Sequence, residues 1–156
     1  MRIAATTTGL LALAACAHAA APPRASPAGA ASAVRLDHLA IHAADVTASV
    51  SFYRDVFGLR EIRSAVDGPR WLDAGRGVEL HILPGRTAPV PDNRSVHLAL
   101  ATSGLAPILE RLRERGIAWQ DFAGTPGAVS HRADGVDQIY LRDPDGYWIE
   151  VNDTMK

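Results

Sequence analysis

Four side chains in this sequence are of the types that bind a borderline divalent cation: His38, Glu79, His97 and Glu150. Each lies in a run where apolar and polar residues alternate. In "DHLAIHA" Leu39 and Ile41 fall on one side and His38, Ala40 and His42 on the other; in "VELHI" Val78, Leu80 and Ile82 oppose Glu79 and His81. In "SVHLALA" Val96, Leu98 and Leu100 oppose His97 and Ala99, and in "YWIEVN" Ile149 and Val151 oppose Glu150 and Asn152. Side chains alternate with period two along a strand, so all four polar residues are expected on the sheet face turned away from the helices. Two imidazoles and two carboxylates gathered in a partly dry cleft are costly without a partner. A divalent cation resolves that cost. Imidazole nitrogen and carboxylate oxygen suit Zn, Ni, Co, Mn or Fe(II), and four protein ligands leave octahedral positions open for water or substrate.

The elements that must position these residues occur twice. The first half opens on the alternating strand "VRLDHLAIHA". It continues into "DVTASVSFYRDVFG", where Asp45 is expected to cap a helix that buries Val46, Val50, Tyr53 and Phe57 and ends at Gly58. Three strands are expected near residues 59–65, 69–74 and 77–83. The second half opens on "SVHLALAT" and passes through "SGLAPILERLRERG", with Ser103 as the expected cap and Gly116 as the stop. Strands are expected near residues 117–121, 136–142 and 147–152. The segments "DHLAIHAADV" and "VHLALATSGL" place His38 and His97 at equivalent points of the two halves. The expected fold is therefore α+β: two βαβββ modules, each too small to bury its own sheet, forming a curved mixed sheet around a metal-binding cleft. His42, His81 and His131 are further candidates for its lining, whereas Phe52 and Tyr53 read as core and "ERLRER" as a solvated helix face.

Composition fits this picture. The chain has 156 residues, a formal net charge of −1 and 47% hydrophobic residues, which suits one domain with a real core and excludes a basic nucleic-acid-binding protein. Residues 1–33 read differently from the rest. Arg2, a short apolar run and then small residues have the layout of a secretory leader, too short for a membrane span. Within it "LAAC" resembles a lipobox ending at Cys16, the only Cys in the chain; the competing reading is cleavage after Ala17-His18-Ala19. Either way the folded part at residues 34–156 holds no thiol, and the Ala/Pro/Ser-rich run before it reads as a flexible tether. An exported protein is expected, periplasmic or anchored at the outer membrane through a lipid on Cys16.

Residues 35–153 resemble the vicinal oxygen chelate superfamily, which includes glyoxalase I, fosfomycin-resistance thiol transferases and extradiol dioxygenases. The pieces that carry the resemblance are "DHLAIHAADVTASVSFYRDVFGL", "SVHLAL" and "DPDGYWIEV". It implies a metal on the inner face of paired βαβββ modules, held by His38, His97 and Glu150. The glyoxalase I branch implies a fourth ligand at Glu79 in "VELHI", with Glu150 or Glu79 as the base that moves a proton between adjacent carbons of a small oxygen-chelating substrate. His42 and Leu83 stand where that branch places an Arg and an Asn for glutathione. Without Glu79, the two-His, one-carboxylate set suits thiol-transferase or oxygen chemistry, and a cleft that binds a small molecule or drug without turnover is a third possibility. A homodimer is also implied, with modules of different chains completing each cleft.

Overall fold

The computed structural model describes residues 34–156. The expected leader, Cys16 and the tether lie outside the described residues. Two modules follow one another. The first runs β1 (His38–Ala43), α1 (Val46–Phe57), β2 (Arg60–Ile62), β3 (Arg70–Asp73) and β4 (Glu79–Pro84). The second runs β5 (Leu98–Ala101), α2 (Ala106–Glu114), β6 (Trp119–Gln120), β7 (Ser130–His131), β8 (Asp137–Arg142) and β9 (Trp148–Asn152). The sheets are ordered β1-β4-β3-β2 and β5-β9-β8-β6, with β7 also paired to β8. In each, the first and last strands of the module run parallel and the rest antiparallel. The mixed α+β architecture is thus as expected, carried on two mixed sheets.

Local chemistry explains α1. The Asp45 carboxylate accepts the Ala48 N–H at 3.0 Å, and Gly58, at φ 74°, ends the helix by donating back to Arg54. Its buried stripe is Ser49, Val50, Tyr53 and Val56. The second helix begins differently from expectation. Ser103 is not its cap: the Thr102 hydroxyl bonds to Gly104, the cap position falls on Leu105 without a side-chain bond, and Pro107 sits in the first turn. A proline there is already pre-set for the helix and needs no N–H partner. One core joins the halves, drawing Ile41, Leu72, Leu80 and Ile82 from the first and Ile108, Leu112, Ile139, Leu141, Ile149 and Val151 from the second. Each such side chain contributes about 2 kcal/mol on leaving water. Val96, expected among the apolar set, is 74% exposed, because the paired part of β5 begins only at Leu98.

A polar clasp fixes one module on the other. Asp145, in the β8–β9 turn, accepts the Ala44 N–H at 2.7 Å, the Ser49 hydroxyl at 2.9 Å and Arg86 Nε at 2.7 Å. Its neighbour Asp143 accepts the Tyr53 hydroxyl at 3.0 Å as well as two turn N–H groups. Desolvation works to raise the Asp145 pKa, but the Ala44, Arg86 and Ser49 bonds outweigh it and hold the carboxyl below its ordinary value. For Asp143 desolvation prevails and the pKa is raised. The signs are opposite. Asp145 stabilises the fold above the ordinary carboxylate range and loses that contribution as pH falls through its lowered folded value. Asp143 favours the fold when protonated, and that contribution is lost as pH rises through its raised folded value. Asp145→Ala is expected to cost about 3 kcal/mol, since it strands Arg86 and two other donors. Equilibrium denaturation should also show a shallower loss of stability in the variant than in wild type below about pH 4.

Candidate metal centre

Strand pairing sets the two inner faces. In the first module the register rows are His38, Glu79, Asp73 and Arg60, then Ala40, His81, Trp71 and Ile62. His38 and Glu79 are therefore direct neighbours across a parallel pair. His38 Nδ1 lies 3.0 Å from Asp37 Oδ2; a carboxylate only accepts, so Nδ1 donates and Nε2 is left with its lone pair. The ring of His81 stacks between those of His38 and Trp71, each at 4.2 Å, and His81 Nε2 donates to Glu79 Oε2 at 2.8 Å.

The second module holds the other pair. Glu150 is 7% exposed and turned to the inner face. Its Oε2 accepts the Tyr140 hydroxyl at 2.5 Å and its Oε1 accepts Asn152 Nδ2 at 2.7 Å, while Gln138 Nε2 donates to the same Tyr140 oxygen. Burial first, and then the bond to Glu150, pushes the Tyr140 pKa well above its usual value, which keeps the phenol a proton donor. His97 lies diagonal to Glu150, since the register partner of Glu150 on β5 is Ala99. The Arg94 carbonyl accepts His97 Nδ1–H at 2.8 Å and so fixes the tautomer, with His97 Nε2 3.3 Å from Glu150 Oε2. The Arg94 guanidinium spans the Phe122, Tyr140 and Trp148 rings and donates to the Phe122 carbonyl.

Two lone pairs facing each other at that distance require positive charge between them, either a second imidazole proton or a cation. The donor set, imidazole nitrogens with their far nitrogens already anchored and two carboxylates, fits a borderline divalent ion. The four candidates form two pairs, however. Among the described residues no group of three or more His, Cys, Asp or Glu side chains is arranged within the chain so as to hold a metal ion. Glu79 and His97 both border an apolar groove of about 750 Å³ between the modules, walled by Leu39, Leu80, Leu98 and Leu100. The other histidines divide. His81 packs on His38 and bonds to Glu79, His42 lines a separate recess of about 260 Å³ with Arg86 and Tyr147, and His131 is exposed and paired with Asp137.

Sequence reasoning missed Tyr140, Arg94 and Trp71. Tyr140 had a signal: a hairpin closed by "DPDG" pairs Arg142 with Trp148 and therefore Tyr140 with Glu150. Trp71 meets His81 only through the β3–β4 register, and Arg94 acts from a loop through its carbonyl, so neither had one. Tyr140→Phe is expected to cost about 2 kcal/mol, the worth of a hydrogen bond to a charged group, in equilibrium unfolding of the apo-protein.

A family model described as the Glyoxalase/Bleomycin resistance protein/Dioxygenase superfamily matches residues 35–151. A relative from Arabidopsis thaliana named glyoxylase I 4 is 28% identical over 127 residues, 74% of this chain and 68% of its own length. Among solved structures, oxidase ChaP-H2 superposes with a TM-score of 0.63 at 26% identity, covering 77% of this chain and 93% of its own. A lactoylglutathione lyase from Agrobacterium tumefaciens shares the fold, with a TM-score of 0.54 at 22% identity over 77% of this chain and 92% of its own.

Proposed function

The chain belongs to the glyoxalase/bleomycin resistance protein/dioxygenase superfamily, and from that premise we propose that it is a metal-dependent enzyme acting on a small oxygen-chelating substrate, closest in chemistry to glyoxalase I. The observation that carries this reading is the pre-oriented pair His97 and Glu150, with an acceptor nitrogen and an acceptor oxygen 3.3 Å apart. His38, Glu79, His97 and Glu150 would hold a Zn, Ni, Co, Mn or Fe ion. When bound, the ion would supply Lewis acidity toward two substrate oxygens. The two carboxylates have different freedom. Glu150 is buried and fixed by Tyr140 and Asn152, which suits an anchor; Glu79, 34% exposed at its side chain with one donor on it, has the room to take a proton from one carbon and return it to the next. Leu83 and His42 offer no anchors for glutathione, so the thiol part of any substrate would be smaller or absent.

A homodimer completes this reading. The outer edges of β1 and β5 are unpaired among the described residues, and an open edge next to half a ligand set favours pairing with a second copy. His38 and Glu79 of one subunit would then meet His97 and Glu150 of the other. A second reading is favoured by the hydrogen bond from His81 to Glu79 and by the likeness to an oxidase: His38, His97 and Glu150 alone hold the metal for oxygen chemistry, and Glu79 shapes the pocket.

Parallel metal titrations separate the two. With four ligands, Glu79→Gln and Glu150→Gln both lose metal; full occupancy in Glu79→Gln beside an empty Glu150→Gln would select the three-ligand site. A turnover screen with methylglyoxal plus thiols, fosfomycin and catechols then reads the reaction class, and a saturable, product-free effect would indicate a binding protein. The proposed setting is outside the cytoplasm, through lipidation of Cys16 or simple secretion. Cys16→Ser is expected to move the protein from the membrane to the soluble fraction; an unchanged distribution supports simple secretion.

A further inference from the structure

His81 touches both first-module candidates. β4 lies between β1 and β3 in the sheet, so His38 reaches one face of the His81 ring and Trp71 the other, with centroids 4.2 Å away on each side and interplanar angles of 9° and 4°. The His81 side chain is 12% exposed, although that of His38 is 45% exposed and that of Glu79 34%. This ring is therefore held more firmly than the two groups it contacts. Stacking fixes the plane of the His38 imidazole, and the Asp37 contact at Nδ1 fixes its rotation within that plane. The direction of the Nε2 lone pair is then determined. The His81 Nε2–H bond to Glu79 Oε2 leaves Oε1 as the free oxygen.

We infer that His81 is a positioning residue for the first-module half of the metal site, orienting His38 through its ring face and Glu79 through its N–H, with Trp71 as its backing. The inference rests on the four-ligand reading above. Groups of this kind, hydrogen-bonded or packed behind the ligands, change metal affinity by about 10- to 100-fold when removed. Neither His81 nor Trp71 would touch the ion or the substrate.

The test is a titration of the purified protein with Co2+, following its visible absorption. His81→Ala is expected to raise the Co2+ dissociation constant by about 10- to 100-fold and to alter the absorption band. His81→Gln keeps an N–H donor without the ring, and His81→Phe keeps the ring without the donor; each should fall between wild type and His81→Ala, and both carry the test if the alanine variant fails to fold. The decisive comparison places His81→Phe in a Glu79→Asp background, which keeps the anionic ligand but draws its oxygens back from His81 Nε2. If the hydrogen bond acts through Glu79, the penalty of His81→Phe shrinks or disappears there, which a general packing role would not produce. An equal penalty in both backgrounds, or a His81→Ala dissociation constant within about twofold of wild type, well short of that range, overturns the inference while leaving the metal site standing. Absence of Co2+ and Zn2+ binding by wild type overturns the site and the inference together.

Discussion

The Asp145 carboxylate, set in the turn between β8 and β9, collects a backbone N–H, a hydroxyl and a guanidinium from three separated places in the first module. Those donors sit at the end of β1, in the first half of α1 and just after β4. Asp145 is 9% exposed, so water has little access to replace these bonds. Tyr53 and Asp143 repeat the contact a helical turn further along, and the Tyr147 hydroxyl accepts the His42 N–H at 3.2 Å. The segment that ends in Glu150 is therefore tied at its start to the strand that carries His38. The clasp transmits the placement of one sheet to the other, while the apolar core supplies the bulk of the stability.

Within each module the candidate ligands are oriented by different physics. His97 and Glu150 are held by hydrogen bonds: the Arg94 carbonyl on one nitrogen, and Tyr140 and Asn152 on the two carboxylate oxygens. His38 and Glu79 are held by a stack of three rings that ends in one hydrogen bond. Hydrogen bonds to both oxygens fix a carboxylate in rotation as well as position. Stacking fixes a plane and leaves sliding within it open. The second module thus presents the more rigid pair, and the first has the greater range of adjustment.

How far the sequence could be read depended on whether a feature was local. The α1 caps are local, and Asp45 and Gly58 behaved as their residue types require. Alternation held in β4, where Leu80 and Ile82 went to the core and Glu79 and His81 to the other face, but in β1 Ile41 is buried while Leu39 is 38% exposed. It failed at Val96, which precedes the paired part of β5, because period two holds only while the backbone stays in the sheet. Ser103 had the right type for a cap, yet Pro107 fixed the helix start two residues later. Alternation also gives a face and not a distance. It put His38, Glu79, His97 and Glu150 on inner faces, but only the strand order makes His38 the neighbour of Glu79 and leaves His97 diagonal to Glu150.

That separation into two pairs bears on how such a site could be assembled. A cation held by four groups on one rigid surface would need all of them pre-placed against mutual repulsion in the apo-protein, with no water to relieve it. Here each imidazole and carboxylate already has a partner of its own: Asp37 for His38, His81 for Glu79, the Arg94 carbonyl for His97 and Tyr140 with Asn152 for Glu150. Each of the four groups thereby keeps a hydrogen-bond partner without the ion. In the proposed dimer the remaining cost would fall on the step in which the two half-sites meet, where the ion's binding energy would offset it. Such a division would leave most of the ordering within each pair done before a metal arrives, so that the approach of the two pairs, with adjustment confined to the first-module ligands, is the step that remains.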